Sequence, residues 1–98
     1  MSDTATKQTT RLVIPYANGE KAFVRSHRIA SVPNNSTAIR YWSYKPEKQT
    51  LTVQYANGDK FYDYEGVPFS AVYAMMLADS LGNFIAKNIK PFYTVEAF

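Results

Sequence analysis

From Leu12 onward the chain reads first as short runs with period-two alternation and, after Gly66, as apolar residues at helical spacing. Residues 12–25, LVIPYANGEKAFVR, are two β-rich runs on either side of Asn18-Gly19. Asn-Gly between extended runs predicts a hairpin, because a type I′ turn needs positive φ at both central residues. The signal returns in residues 51–64, LTVQYANGDKFYDY, so that Tyr-Ala-Asn-Gly-acid-Lys stands at 16–21 and again at 55–60. Two copies are too few for a stacked repeat, which needs at least about three units. With Asn57-Gly58 as a two-residue loop, Val53 faces Tyr62 and Leu51 faces Tyr64. One face then carries Leu51, Val53, Tyr55, Tyr62 and Tyr64 as a core face with aromatic–aliphatic cross-strand pairs. The other carries Thr52, Gln54, Phe61 and Asp63.

Residues 38–44, AIRYWSY, predict a further strand with Ile39 and Tyr41 on one side and Arg40, Trp42 and Tyr44 on the other. Pro46 makes residues 45–49 a turn, since it fixes φ and cannot donate to a ladder. The strand therefore lies antiparallel beside Leu51–Tyr55. Pro68 suits the first turn of a helix, and Phe69, Val72, Tyr73, Met76 and Leu77 follow at helical spacing, with Met75 and Met76 as core filler. Ser80 reads as an N-cap of a second helix with Phe84, Ile85 and Ile89 as its stripe, and Pro91 ends it. The expected fold class is α+β: an antiparallel β-sheet built from hairpins, with two short C-terminal helices packed on one face.

Length and composition bound the rest. Hydrophobic residues make up 46% of the chain; residues 1–10 offer nothing to bury and read as a mobile tail, leaving 11–98 as one domain. No apolar run approaches the roughly 20 residues of a membrane span, and the N-terminus has no signal-peptide core. With no cysteine, there is no disulfide framework or thiol nucleophile, and a cytoplasmic protein is expected. The net charge of +3 is unevenly spread: residues 1–50 carry eight basic and three acidic side chains, residues 51–98 three and five. That is too small an excess to diagnose nucleic-acid binding by itself.

Most catalytic chemistry lacks its parts. The single histidine, His27, sits between Ser26 and Arg28 as a polar strand end or loop, and a histidine-rich zinc site is impossible,. Asp63 and Glu65 alternate along a strand and could share a face, but two carboxylates flanking a tyrosine there read as solvated charges rather than an acid–base pair. Neither Asn-Gly turn resembles a phosphate-binding glycine loop. No catalytic residue, cofactor or metal site is expected.

Residues 36–93 resemble a KTSC domain, a small module named for its place at the C-terminus of some lysyl-tRNA synthetases. The resemblance rests on Ser36, Ile39, Tyr44 with Pro46, Leu51, Val53, Gly58 and the pair Tyr62-Asp63-Tyr64. It continues through Gly66-Val67-Pro68, the Ala78-x-Ser80-x-Gly82 run, and Phe84, Ile89 and Tyr93. Such domains occur as single-domain bacterial and phage proteins, and RNA binding has been suggested for them. The resemblance implies the fold more than an activity, and residues 11–28 stand outside it as an extra hairpin.

Lys21, Arg25 and Arg28 cluster on or beside that hairpin, while Arg40, Trp42 and Tyr44 share a strand face if the strand has no bulge. Cations beside exposed aromatics can track a phosphate backbone while bases stack on the rings; the competing reading makes Trp42 and Tyr44 core residues with Arg40 lying along them. Fifteen aromatic residues (eight Tyr, six Phe, one Trp) also exceed what a small core needs. Any exposed members of the set Tyr16, Phe23, Trp42, Phe61, Phe92 and Phe98 would serve as interface anchors. The hairpin either covers the outer face of the main sheet, which would account for Phe61 there, or leaves an edge that can accept another chain, a second copy included. The expectation is a small, non-enzymatic, phage-encoded binding protein that engages a host protein through this aromatic and basic surface. The alternative is an RNA- or single-strand-binding module.

Overall fold

The structure, a computed structural model, describes residues 12–98; the tail expected over residues 1–10 lies outside the described residues. Seven strands lie side by side in chain order in one antiparallel sheet. They are β1 (Leu12–Tyr16), β2 (Glu20–Arg25), β3 (Arg28–Ser31), β4 (Ile39–Lys45), β5 (Thr50–Tyr55), β6 (Phe61–Glu65) and β7 (Thr94–Ala97). Between β6 and β7 the chain forms α1 (Phe69–Leu77) and α2 (Leu81–Phe84), the latter running on as a π-helical turn over Ile85–Ile89. The architecture is α+β, with both helices on one face of the sheet. Ala22, Ile29, Ile39, Trp42, Tyr44, Leu51, Val53 and Tyr64 from the strands bury against Val72, Met75, Met76, Leu81, Ile85 and Ile89 from the helices.

The two Tyr-Ala-Asn-Gly copies fold differently. At the first, Tyr16 pairs with Glu20 and the loop is three residues, with Asn18 at φ 60 and Gly19 at φ 78. At the second, the β5–β6 register is the expected one, Leu51 opposite Tyr64 and Val53 opposite Tyr62. Neither Asn57 nor Gly58 has positive φ, however. There β5 stays engaged with β4 beyond the hairpin, the Ala56 N–H donating to the Ala38 carbonyl at 2.8 Å. The β5–β6 ladder therefore closes at Gln54 and Phe61 and leaves a wider loop. The two-residue turn with positive φ at both centres is at Ser26 (51°) and His27 (63°), between Arg25 and Arg28. His27 is thus the tip of a hairpin that joins β2 to β3.

Two expectations are corrected and one alternative is decided. Of the two places open to the extra hairpin it takes the edge, not the outer face: β2 pairs with β3 and β3 with β4, so that β1, with Pro15 next to its last residue, is the edge strand. Phe61 is flanked instead by Tyr41 and Phe98, with ring centroids 5.9 and 5.8 Å away. β4 has a bulge between Ile39 and Tyr41, which puts Ile39, Trp42 and Tyr44 all in the core. A bulge shifts the two-residue alternation by one position, and this one ends the expected face of Arg40, Trp42 and Tyr44. Finally, α1 buries Val72, Met75 and Met76 but exposes Phe69, Tyr73 and Leu77. Its nine residues are nearly all apolar, so their spacing does not single out one buried stripe.

Hydrogen bonds fasten the added strands to the rest. The Trp42 indole N–H donates to the Tyr16 hydroxyl at 3.3 Å, and that hydroxyl shares a 2.6 Å bond with Ser31 Oγ, which donates to the Lys21 carbonyl at 2.9 Å. Burial raises the Tyr16 hydroxyl pKa, so the cluster stays neutral,. Glu20, buried on β2, accepts from the Asn34 N–H at 2.9 Å and from the Asn35 N–H. Asn18 Nδ2 donates to the Asp79 carbonyl at 2.9 Å, tying the first loop to the segment between the helices. That segment is held close: Ser80 caps α2 by accepting from the Asn83 N–H, and a Cβ placed on Gly82 would come within 2.8 Å of the Ala38 Cβ.

Candidate partner-binding face and tyrosine groove

The face of the sheet away from the helices carries Lys21, Phe23 and Arg25 on β2, Arg28 and Ala30 on β3, and Tyr41 and Lys45 on β4. This follows from the register, since Val24, Ile29 and Tyr44 alternate with them into the core. Beyond these come Thr52 and Gln54, then Phe61, Asp63 and Glu65, then Glu96 and Phe98. Basic groups thus gather on β2–β4 and acidic groups on β6–β7. The two carboxylates on β6 are already engaged, Asp63 accepting from Thr52 Oγ1 at 2.5 Å and Glu65 from Thr50 Oγ1 at 2.8 Å. Among the described residues no group of three or more His, Asp or Glu side chains could hold a metal.

Arg25 and Arg28 are direct cross-strand partners. Together with Phe23, Ser26, Ala30 and Tyr41 they line a shallow cleft of about 610 Å³. Among the described residues the one ion pair within 4.0 Å joins Arg40 to Asp59 at 3.7 Å, and Arg40 also donates to the Ala56 carbonyl at 2.8 Å. Arg40 is therefore occupied at the β5–β6 loop and stands apart from Arg25 and Arg28.

Of the residues expected to form one surface, the structure brings Lys21, Arg25 and Arg28 onto the same face. It removes Trp42 and Tyr44, each 0% exposed. Both have internal roles: Trp42 packs edge-on to Tyr16 at 5.9 Å, and the Tyr44 hydroxyl donates to the Val67 carbonyl at 2.6 Å. Burial raises the Tyr44 pKa. The aromatic neighbour of the arginines is Tyr41, which the unbulged reading of β4 turns to the other face. Of the aromatic set expected as anchors, Phe92 and Phe98 are exposed, at 71% and 65%.

On the helix side of the sheet a second opening, also of about 610 Å³, is lined by Tyr55, Tyr62, Tyr64, Lys90, Val95 and residues near Thr37 and Asn57. The Tyr55 and Tyr62 rings meet edge-to-face at 5.3 Å, and the Tyr55 and Tyr64 hydroxyls share a 2.7 Å hydrogen bond. Lys90 Nζ lies 5.7 Å from the Tyr55 ring centroid. It is placed there by the π-helical turn, in which the Lys90 N–H donates to the Ile85 carbonyl at 2.8 Å before Pro91 stops the helix. Burial first, and then the bond to Tyr64, hold the Tyr55 hydroxyl well above the ordinary tyrosine range,. Sequence periodicity identifies these tyrosines only as core; the signal for a groove is a lysine at the last helical position before a proline, opposite a tyrosine pair.

A seven-stranded antiparallel meander with a helical insertion before its last strand defines a small α+β domain. The KTSC domain family matches residues 35–93, and the chain belongs to that family. It is also 41% identical over 56 residues, 57% of this chain and 78% of the relative, to an uncharacterized protein of Stutzerimonas stutzeri (strain A1501). No solved structure matches. The matched region begins after β3 and ends before β7, so four of the seven strands lie outside it. Arg25, Arg28 and Phe23 belong to the added part, and the three groove tyrosines and Lys90 to the family part.

Proposed function

We propose that this protein is a non-enzymatic binding module that holds an acidic protein surface against the outer face of its sheet, at the end where Arg25 and Arg28 meet. The observation that carries this reading is the cross-strand pairing of those arginines beside Phe23 and Tyr41. Like charges set opposite one another weaken a sheet. A partner carboxylate bridging them would turn that repulsion into charge-assisted, bidentate hydrogen bonding. Rings beside the cations supply the aromatic and arginine anchors that dominate protein interfaces. A host protein in the cytoplasm is the partner class that fits a phage-encoded member of this family, and among the described residues no helix is long and apolar enough to cross a membrane.

One observation favours a second reading. Half-buried Phe23 and Tyr41 lie on an open sheet face next to arginines, an arrangement on which single-stranded bases stack at about 1–3 kcal/mol each. The two readings separate by salt, since phosphate-driven binding weakens steeply as salt rises. The test compares wild-type protein with an Arg25→Ala/Arg28→Ala variant in capture from bacterial lysate, and in anisotropy titrations with labelled single-stranded RNA and DNA over a salt series. A protein retained by wild type and lost by the variant is the expected result. Tight, salt-sensitive nucleic-acid binding lost in the variant would instead establish the second reading. Identical behaviour of the two proteins in both assays refutes the assignment of this face.

A further inference from the structure

The tyrosine groove is on the opposite side of the sheet from Arg25 and Arg28 and has its own chemistry. Its volume of about 610 Å³ falls in the range of small-ligand sites, roughly 300–1,000 Å³. Three features define what it would accept. The first is charge: Lys90 is the one ionisable cation in its wall and no carboxylate lines it, so the groove is complementary to an anion. The second is a spare proton. Tyr55 and Tyr64 together carry two O–H protons but share one mutual hydrogen bond, and no other protein acceptor engages either hydroxyl among the described residues. One proton is therefore left to donate, and Tyr64, whose hydroxyl belongs to this pair, is only 1% exposed while lining the groove. The mutual bond can run either way, so the free proton sits on buried Tyr64 or on half-buried Tyr55, and a ligand oxygen in the groove would accept it in either case. The third is shape: Tyr55 and Tyr62 at 5.3 Å present a ring face and a ring edge, and Val95 extends the apolar wall. Such walls favour a flat aromatic group.

We propose that this groove is a binding site for a small aromatic anion, its ring against Tyr62 and Val95 and its phosphate or carboxylate between the Lys90 ammonium and the Tyr55–Tyr64 hydroxyl pair. The site is independent of the outer-face reading and uses residues of the family part of the chain. It deepens the role of the tyrosines, which periodicity presents only as packing.

The test is a titration of the full chain, followed by nuclear magnetic resonance of its tyrosine rings, with phenyl phosphate, benzoate, phenol and inorganic phosphate. Phenyl phosphate or benzoate should shift Tyr55 and Tyr62, and the tighter of the two identifies the head group. Phenol and inorganic phosphate should each bind at least about tenfold more weakly, phenol for want of the charge-assisted contact and inorganic phosphate for want of the ring contacts. Lys90→Gln, at an exposed position, should weaken the aryl anion about tenfold without disturbing the fold. The double variant Tyr55→Phe/Tyr64→Phe, which removes both hydroxyls, should do the same through the lost donor, and Arg25→Ala/Arg28→Ala should leave binding unchanged. The proposal is overturned if neither aryl anion shifts these rings, if phenol binds as tightly as phenyl phosphate, or if Lys90→Gln binds like wild type.

Discussion

The same tetrapeptide, Tyr-Ala-Asn-Gly, at 16–19 and 55–58 permits a comparison in which local sequence is held constant and only backbone geometry differs. Gly19 has φ +78 with no atom within 4 Å of a built Cβ, whereas Gly58 has no positive φ and is equally unobstructed. Replacing either with alanine creates no clash, so the response reports conformation alone. Alanine held in the left-handed region costs about 1–2 kcal/mol. Its narrower unfolded ensemble returns about 0.4–1 kcal/mol. Gly19→Ala should therefore destabilise by about 1 kcal/mol. Gly58→Ala keeps the entropic gain without the strain and should stabilise by about 0.4–1 kcal/mol. The two variants then differ by roughly 1.5–2 kcal/mol, which for a domain of this size separates their melting temperatures by about 6–16 °C. Thermal unfolding by circular dichroism and urea titration under identical conditions measure both. Equal shifts of the same sign would show that the two turns share one conformation, and the reasoning from φ would fail.

At the third turn, Ser26 and His27 both occupy the left-handed region without being glycine; Ser26→Asn with His27→Gly should stabilise the protein by about 1 kcal/mol, read as a higher urea midpoint at unchanged slope. Gly82→Ala places a methyl group 2.8 Å from the Ala38 Cβ; because α2 and the β3–β4 segment must part, a loss of about 1–3 kcal/mol is expected, and an unchanged melting temperature would contradict that packing. The Tyr16, Tyr44 and Tyr55 hydroxyls all have their pKa raised, chiefly by burial, above the ordinary tyrosine value of about 10,. A raised tyrosine favours the folded state while it is neutral, so this stability is complete below about pH 10 and is lost as pH rises beyond it. With tyrosinate absorbance and far-ultraviolet circular dichroism recorded together, the last part of the absorbance rise should coincide with loss of the folded signal; ionisation of all tyrosines with the fold intact would refute the burial argument.

The second hairpin is legible in the chain because alternation and turn position agree: whichever backbone conformation the loop adopts, pairing Val53 with Tyr62 is what keeps Leu51, Tyr64 and their neighbours on the apolar side,. The same logic misleads at β4. Its bulge inserts at Arg40, a residue with no composition signal, and everything after it changes face. That reassigns Trp42 and Tyr44 to the core and Tyr41 to the surface. β7 is short, has every residue in part exposed and comes soon after Pro91; it has no pattern of its own and forms because β6 offers it an open ladder. The basic side of the candidate face can be read from Lys21, Arg25 and Arg28. Its aromatic side cannot, because Phe23 and Tyr41 come together only once β3, four residues with no turn glycine before them, is known to lie between β2 and β4.

The edgewise addition of β1 to β3 also decides where the sheet stops growing. Without those strands, β4 would present its unpaired backbone to any passing chain, directly beside the buried Trp42. With them, the terminal position falls to β1, and Pro15, next to the last residue of that strand, has no N–H to offer. A proline in an outermost strand turns its missing donor toward solvent, leaving a gap in the row that a foreign strand would need to match. The appended segment therefore works as an end-stop against concatenation, so that the protein should remain dispersed at concentrations where a truncated chain starting at β4 stacks edge to edge.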